Sequence, residues 1–329
     1  MPQTDTLEPT SPNIHVAATA DASASAPSLR RDPATALAHF SMSGEESGDS
    51  LPTITREIWD ARDLLAQLTL RDIRIRYKQA VMGFGWALFM PMLLVFAGAI
   101  IRFVMAQAAG IPLNRSELAA VALKAVPWGF FVGSIGFAVN SLVGNINLIT
   151  KIYFPREVLP LSAIIAQAFD SAIAAAVLVV LLPMFGAKLT YALFWVPVLA
   201  LHIVVLTVGV GMLVSCANLF FRDVKYLVQI VLMFGIFGTP VFFEPAMLGA
   251  RGAVIMAFNP LTAPLEGLRL TVLEGNALFS RIDVTLSSGA SVTAWNPAWL
   301  VASAVFSVVL LLGSAKLFRR LQFVFAERV

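Results

Sequence analysis

The sequence is poor in charged residues. Only 13% of its 329 residues are Asp, Glu, Lys or Arg, while 58% are apolar, whereas soluble domains carry about 25% charged and about 45–50% apolar residues. The few charges lie between long apolar stretches instead of alternating with them, so the chain cannot cover a water-soluble core with one polar face. This composition excludes an ordinary soluble protein and indicates a membrane protein.

Cysteine is scarce as well, and nucleotide-binding motifs and clusters of basic residues are missing. Cys216 is the one cysteine, which excludes an intrachain disulfide and a metal site built from cysteines. The formal net charge of +3 is too small, and the Lys and Arg residues are too dispersed, to suggest a nucleic-acid partner. No G-x-x-x-x-G-K-[ST] segment occurs, so the sequence predicts no ATP site of the usual phosphate-cradling kind and no cofactor of its own.

The N-terminal region reads as a disordered tail over residues 1–52. It is rich in Ala, Ser, Thr and Pro and buries too little apolar surface to offset the entropy of ordering. It lacks a basic start followed by an apolar core of about 7–15 residues, so we do not expect a signal peptide.

Six stretches are long enough to cross a membrane, which takes about 20 mostly apolar residues. They cover residues 84–105, 127–149, 159–185, 193–220, 226–243 and 299–318. We therefore predict an all-α membrane protein with six transmembrane helices, in a domain over residues 83–329. A shorter apolar piece, residues 253–265, is broken by Pro260 and Pro264, and we predict re-entrant helices there, between spans five and six.

The positions of Lys and Arg predict the orientation. With the N-terminus inside, twelve of these cations lie at the cytoplasmic ends of the spans and seven at the opposite ends. Because cytoplasmic loops carry the excess of Lys and Arg, we predict that both termini are cytoplasmic.

A cytoplasmic interfacial helix is predicted before the first span, in residues 53–82. We expect Asp72 and Arg76, one helical turn apart, to form an i,i+4 ion pair. Two interpretations of the cations fit: they hold anionic lipid headgroups, each contributing about 1 kcal/mol, or they form a docking surface for a partner protein. The candidate residues of this helix are Arg71, Asp72, Arg74, Arg76, Tyr77 and Lys78.

Four stretches, in order, carry a resemblance to a known family. They are LTLRDIRIRYKQAVMGFGWALFMPML (68–93), NINLITKIYFPREVLPLSA (145–163), ANLFFRDVKYLVQI (217–230) and NPLTAPLEGLR (259–269). Each resembles the corresponding segment of the ABC-2 type permeases that export O-antigen, capsule and teichoic acid polysaccharides. The resemblance covers roughly residues 64–321.

The resemblance implies a permease of the bacterial inner membrane that translocates a lipid-linked polysaccharide. It also implies a homodimer joined by two separate nucleotide-binding subunits, so that ATP and Mg belong to the partner and the chain itself is not an enzyme. Membrane lipid and the lipid-linked polysaccharide are the other expected partners.

The short segment after the second span is a candidate for coupling to the ATPase. Pro155 ends any helix there and bounds a compact group of apolar, aromatic and basic residues. By resemblance, this group is a coupling helix. The alternative for this segment is an amphipathic turn at the level of the lipid headgroups. Asp223, in the next cytoplasmic loop, can instead cap the N-terminus of the fifth span. The coupling candidates are Ile149, Lys151, Ile152, Tyr153, Phe154, Arg156, Arg222 and Asp223.

Phenylalanines on the second and fifth spans are candidates for a polysaccharide conduit, because aromatic faces stack on pyranose rings. Such a conduit resembles that of the family, and the alternative is plain packing or contact with lipid. The conduit candidates are Phe130, Phe131, Phe137, Phe234, Phe237 and Phe242.

The re-entrant piece is, by resemblance, a gate on the periplasmic side. Glu266 and Arg269 stand i,i+3 and can also simply pair with each other, so gate and scaffold both remain open. The gate candidates are Asn259, Pro260, Glu266 and Arg269.

Asp170 lies about eleven residues into the third span, where an acid costs about 2.5–3.5 kcal/mol on insertion scales and so faces a partner or water. We favour a structural hydrogen bond, with Asn140 or a buried cation as its partner, over a proton relay. A relay needs a chain of titratable groups, and the other spans offer only His202 and Arg102.

Three alternative functions agree less well with the sequence. A drug or lipid exporter shares the six-span plan, although the four stretches look closer to the polysaccharide branch. A membrane enzyme acting on lipid-linked sugars needs clustered acids or histidines, whereas the long fifth-to-sixth connection offers Glu266, Glu274 and Asp283 without histidine. A secondary transporter predicts internal repeats and ionisable groups at mid-membrane, and neither is evident.

Overall fold

The computed structural model of the chain describes residues 51–78, 83, 85–110, 112, 114–151, 154–187, 190–285 and 291–328, with side chains from residue 53 to residue 321. Most of the described residues are helical. The predicted tail, residues 1–52, lies outside them except for the backbone of its last two residues.

Eleven α-helices and one hairpin make up the described part of the chain. They are α1 (Leu51–Asp60), α2 (Arg62–Tyr77), α3 (Gly85–Ala109), α4 (Arg115–Ser141), α5 (Ile146–Lys151), α6 (Val158–Leu181), α7 (Trp195–Phe220), α8 (Val224–Gly235), α9 (Gly249–Ala257), α10 (Thr262–Arg269), β1 (Ile282–Thr285), β2 (Ser291–Trp295) and α11 (Pro297–Arg328). Short 3-10 turns cover Val143–Asn145, Leu182–Phe185, Tyr191–Phe194, Ile236–Gly238 and Pro245–Leu248, and a π-helix covers Leu270–Glu274.

Five helical segments in the described residues are long and apolar enough to cross a membrane. They are Gly85–Ala108, Arg115–Ser141, Val158–Phe185, Tyr191–Phe220 and Pro297–Leu321. They correspond to the first, second, third, fourth and sixth predicted spans, so the structure confirms a multi-helix membrane protein.

The predicted fifth span is shorter than expected. The apolar helix covers Val224–Gly238, of which the last three residues are a 3-10 turn. The chain then turns inward, where Val241 and Phe242 are buried in the core. The six-span count therefore stays a prediction.

The predicted start and end of the second span are wrong. Helix α4 begins at Arg115, where the Asn114 side chain accepts a hydrogen bond from the Ser116 N–H at 3.3 Å and caps the helix. Pro127 lies inside this helix and does not begin it. The helix ends at Ser141, so Asn145 and Asn147, which the predicted bounds place inside the span, follow it.

The predicted re-entrant piece forms two short helices, α9 and α10, separated by a break that contains Pro260. Pro264 does not break α10, because it stands in the first turn, where a missing N–H costs no intrahelical bond. The hairpin that follows was not predicted: β1 pairs antiparallel with β2, Asp283 opposite Thr293. The all-α prediction missed this short element.

Helix α7 lies at the centre of the bundle and packs against α4 and α11. Gly209 on α7 permits the closest approach, because a Cβ at this position would lie 3.0 Å from the Leu311 backbone nitrogen on α11. Small residues at such points let membrane helices pack backbone to backbone. Two apolar clusters fill the interior, one around Trp128, Leu199 and Leu265 and one around Ile149 and Phe318.

Candidate coupling and transport sites

The predicted coupling segment lies between α4 and α6. Ile149 on α5 is buried in the apolar cluster around Phe318, and Phe154 packs partly buried against the same cluster. Lys151, at the end of α5, is exposed. Ile152 and Tyr153 lie outside the described residues. The segment therefore combines an anchored apolar part with an exposed cation.

The other predicted coupling residues sit in the α7–α8 loop, where Arg222 and Asp223 are exposed. Asp223 is the N-cap residue of α8, but its carboxylate makes no capping hydrogen bond. Its backbone carbonyl instead accepts from the N–H groups of Tyr226 and Leu227, at 3.0 and 3.2 Å. The prediction of a cap was right in position and wrong in mechanism.

Three charged residues meet beside the coupling segment, and we call Glu57, Glu157 and Arg319 the Arg319 cluster. Arg319 on α11 donates from Nε to Glu157 Oε1 at 2.8 Å and from Nη2 to Glu57 Oε2 at 2.6 Å. Glu157 is the N-cap residue of α6 and directly follows Arg156, which is half-buried. The cluster joins α1, the end of the coupling segment and α11.

Asp170 is satisfied by residues from α2, in what we call the Arg76 cluster: Arg76, Tyr77, Gln167 and Asp170. The Asp170 carboxylate accepts from the Tyr77 hydroxyl and pairs with the Arg76 guanidinium. Arg76 also donates to Gln167 Oε1 at 2.9 Å and lies 3.7 Å from the centroid of the Phe137 ring. Burial and the hydrogen bond to Asp170 raise the pKa of Tyr77 far above its ordinary value, so its hydroxyl stays protonated and donates.

The predicted Asp72–Arg76 pair is therefore wrong. Arg76 turns to Asp170, while Asp72 accepts from Arg71 at 2.9 Å and lies 3.5 Å from the Ser162 hydroxyl. Asp170 and Gln167 give Arg76 two partners on a neighbouring helix, whereas an ion pair one turn away on α2 is worth only about 0.2–0.5 kcal/mol.

Helix α2 lies alongside α6 in the same direction. Asp72 is beside Ser162, and Arg76 is beside Asp170. Asp170 lies twelve residues, or about 18 Å of helix, after the first residue of α6. The C-terminal half of α2 thus follows the first half of a span. Arg74 and Lys78 are exposed, and their role at an interface stays a prediction.

A cavity of about 530 Å³ opens at the Arg76 cluster, between the end of α2 and helices α3, α4 and α6. Its walls combine aromatic rings, including Trp86 and Trp128, with the polar side chains of Arg76, Gln167 and Asp170. A Cβ at Gly133 would lie 2.6 Å from the Gln167 side chain, so glycine there makes room for this amide.

The conduit candidates do not share one surface in a single copy of the chain. Phe130 and Phe242 are buried in the core, and Phe131 packs against it. Phe137 contacts Arg76, while Phe234 and Phe237 on the α8 segment are more than half exposed. Of the six candidates, only Phe137, Phe234 and Phe237 present substantial ring surface to a ligand, to lipid or to another copy.

A groove of about 610 Å³ separates α4 from α8. Its polar lining comes from Asn140 on α4 and from Lys225, Tyr226 and Gln229 on α8. Asn140 therefore faces this groove and is not the partner of Asp170.

A second buried ionic network lies at the opposite end of α4, and we call it the Lys124 cluster: Arg102, Lys124, Glu244, Glu266 and Arg269. Lys124 Nζ is 3.6 Å from Glu266 Oε2, and Arg269 Nε donates to Glu266 Oε1 at 2.7 Å. Arg102 Nη2 is 3.3 Å from Glu244 Oε1. The pairing of Glu266 with Arg269 is confirmed, and Lys124 adds a tie from α4 to α10.

The charges of this network shift the pKa values of its members outside the spans. Burial by itself raises the pKa of Glu244, but Arg269, Lys124 and Arg102 together hold it below its ordinary value. Burial lowers the pKa of Arg269, and the carboxylates of Glu266, Glu244 and Glu274 more than reverse this effect. Glu244 and Arg269 are thus charged at neutral pH.

The other two gate candidates form hydrogen bonds with other segments of the chain. Asn259 donates from Nδ2 to the Gly238 carbonyl at 2.9 Å, and the Pro260 carbonyl accepts from the Ser303 hydroxyl on α11. His202 Nε2 lies 3.1 Å from both the Ser303 and the Ser307 hydroxyls. His202 is therefore held by hydroxyl groups, as expected for a structural residue.

Sequence reasoning missed several paired charges. The sequence predicted no partner for Lys124, Glu157 or Arg319. Their isolation among apolar neighbours was the available signal, since a charge in such a setting needs a partner. The identity of each partner could not be read from the sequence, because the pairs are distant along the chain.

The chain is similar to permeases of O-antigen export systems. It shares 28% identity over 232 residues, 70% of this chain and 88% of the relative, with the O-antigen export system permease protein RfbA of Klebsiella pneumoniae. A second protein of that name from the same species is 28% identical over 228 residues, 69% of this chain and 86% of the relative.

A protein of the same name from Myxococcus xanthus is 26% identical over 280 residues, 84% of this chain and 99% of the relative. No family model matches the chain. The similarity to the three relatives confirms the resemblance inferred from the four sequence stretches: over most of its length this chain is similar to the permease proteins of O-antigen export systems.

Proposed function

We propose that this chain is the membrane-spanning subunit of an ATP-driven exporter, which carries a lipid-linked polysaccharide of the O-antigen class across a bacterial inner membrane. The observation that carries the proposal is the similarity to O-antigen export permeases, which extends over 86–99% of the relatives. Five long apolar helices agree with the membrane location.

Six spans with both termini in the cytoplasm form part of the proposal. The segment Val224–Gly238 supplies the additional span, and the buried residues that follow it shield the backbone from lipid. This orientation places the Arg319 cluster at the cytoplasmic end and the Lys124 cluster at the periplasmic end. Twelve against seven flanking cations support it.

The driving force in this proposal comes from separate ATPase subunits. The sequence contains no P-loop, and Lys151, Arg222 and Asp223 are exposed at the same cytoplasmic end, where a partner can contact them. The exposed apolar residues of α8, Leu227, Val231 and Phe234, support contact with lipid or a second copy of the chain.

The groove between α4 and α8 is the proposed entrance of the polysaccharide path. Its hydroxyl, amide and ammonium groups suit the hydroxyl groups of sugars, and the exposed rings of Phe234 and Phe237 lie on the same α8 segment. Two copies of the groove would face each other across a dimer axis.

Purification and genetic complementation test the proposal. A tag on this chain should co-purify an ATPase subunit with a P-loop, and deletion of the gene should remove polysaccharide from the cell surface while lipid-linked glycan accumulates inside. An ATPase-dead partner subunit is the matched control and should reproduce the deletion. Unchanged surface polysaccharide with loss of drug or lipid efflux would reject the glycan cargo.

A further inference from the structure

Glu157 occupies the junction between the coupling segment and the third span. It directly follows Arg156 and is the N-cap residue of α6. Its carboxylate is fully buried, and Oε1 accepts a hydrogen bond at 2.8 Å from Arg319, 162 residues further along the chain. A movement of this junction therefore acts on α11 through a side chain and not through the backbone.

The guanidinium of Arg319 holds two carboxylates at once. Nε binds Glu157 and Nη2 binds Glu57 on α1, at 2.6 Å. The planar fork of arginine fixes the angle between two such contacts, which the single ammonium of lysine cannot do. Glu57, Glu157 and Arg319 therefore connect three segments at one point.

The surroundings of this contact are apolar. Ile54, Ile149, Val158 and Phe318 are buried in the same cluster, and Arg319 itself is 5% exposed. Glu157 and Arg319 are both closed off from water there, so separating them leaves a buried charge uncompensated, whereas the Glu57 side chain is 43% exposed. The contact therefore ties the start of α6 to α11 more firmly than it ties α1 to either.

Only one of the two Glu157 carboxylate oxygens is bound to Arg319 in this structure. Glu157 Oε2 is buried and has no hydrogen-bond partner among the described residues. Buried carboxylate oxygens are normally paired, and arginine commonly binds both oxygens of one carboxylate. A small rotation of Arg319 relative to Glu157 would give that second arrangement.

We infer that Glu157 and Arg319 are the link through which movement of the coupling segment reaches the last membrane helix, with Glu57 tying α1 to the same point. The inference rests on the proposed ATP-driven function. Both are positioning residues, because each is buried and acts through the other. The unpaired Oε2 gives the link a second arrangement to adopt during the transport cycle.

The test uses the complete complex with its ATPase subunit in proteoliposomes that contain the lipid-linked glycan. The variants are Glu157→Gln, Arg319→Lys and the neutral double variant Glu157→Gln with Arg319→Met. Asp283→Asn, which removes an exposed charge on the hairpin, is the control. Thermal stability, co-purification of the ATPase, ATP hydrolysis and glycan export are measured for each.

We expect Glu157→Gln to keep the ATPase bound and hydrolysing while export per ATP falls about tenfold or more, since the remaining buried cation no longer follows the junction. The double variant should regain thermal stability without regaining export, because no buried charge is left unpaired: Glu57, which loses its contact with Arg319, has a side chain that is 43% exposed. Arg319→Lys should give an intermediate loss.

Recovery of export in the double variant would overturn the inference, since the pair would then serve stability alone. Loss of ATPase binding in a thermally stable double variant would also overturn it, because the pair would then shape the docking surface. If the wild-type complex exports no glycan with ATP, the proposed function itself fails, and this result is separate from both.

Discussion

Arg76 and Asp170 are 94 residues apart in the sequence and form an ion pair. The pair joins the helix before the first span to the interior of the third, and it accounts for an acid at a position where lipid would penalise it. Tyr77 and Gln167 complete the site, so Asp170 has the structural partners that its location requires.

Replacing Asp170 with Asn should lower the thermal stability of the purified protein and leave most transport intact. The amide still accepts a hydrogen bond, but the mostly buried Arg76 loses its counter-ion, at a cost of up to about 3–5 kcal/mol. Asp170→Asn combined with Arg76→Met should recover stability. Total loss of transport by a stable Asp170→Asn protein would contradict the structural role and favour proton coupling.

Glu266 should matter more for stability than Lys124. Glu266 serves both Lys124 and Arg269, so Glu266→Gln leaves two buried or half-buried cations with less compensation, at a cost of about 3–5 kcal/mol. Lys124→Met leaves Glu266 its contact with Arg269 and should cost less. Thermal unfolding of both variants in detergent measures the order, and the reverse order would refute it.

Gly209→Ala should destabilise the bundle by about 1–3 kcal/mol, because the added methyl group meets the backbone of Leu311 and the helices must separate. Gly313 on α11 is the matched control, since nothing lies within 4 Å of a Cβ there. Gly313→Ala should be neutral or slightly stabilising. Equal unfolding temperatures for the two variants would show that α7 and α11 are not in close contact at Gly209.

Lys151→Ala together with Phe154→Ala should uncouple ATP hydrolysis from export while the protein still inserts in the membrane. Lys151 is exposed, so its loss removes a contact for a partner and no internal interaction. Ile149→Ala is the structural comparison and should lower stability by about 2–5 kcal/mol. Normal export and normal stimulated ATPase activity in the double variant would reject the coupling assignment.

Acid should weaken the end of the bundle that holds the Lys124 cluster, through Glu244. The pKa of this carboxyl is held below its ordinary value of 4.5, so its contribution to stability is complete above that value and disappears as pH falls through the lower, folded-state pKa. Thermal unfolding of the wild type and of Glu244→Gln should therefore differ at pH 7 and converge below pH 4.5. A constant difference across this range would exclude the linkage.

The locations of most spans were predictable because membrane insertion is governed by local composition. Residues 159–185 and 193–220 match the helical segments Val158–Phe185 and Tyr191–Phe220 closely. The second span was misplaced because the first part of its helix carries Arg115, Glu117 and Lys124, charges that are typical of a loop, although Glu266 pairs with Lys124 inside the bundle. The hairpin was missed because two strands of four and five residues leave little pattern in the sequence.

Composition by itself determined that this polypeptide enters lipid, since apolar runs of span length are insoluble whatever they pack against, and the order of four segments pointed to its relatives. Tertiary structure alone decided which charges meet. Arg76 pairs with Asp170 and not with Asp72, and Arg319 pairs with Glu157. Electrostatic energy in an apolar interior depends on the distance between charges in space and on the exclusion of water. Neither quantity is encoded in the spacing of residues along the chain.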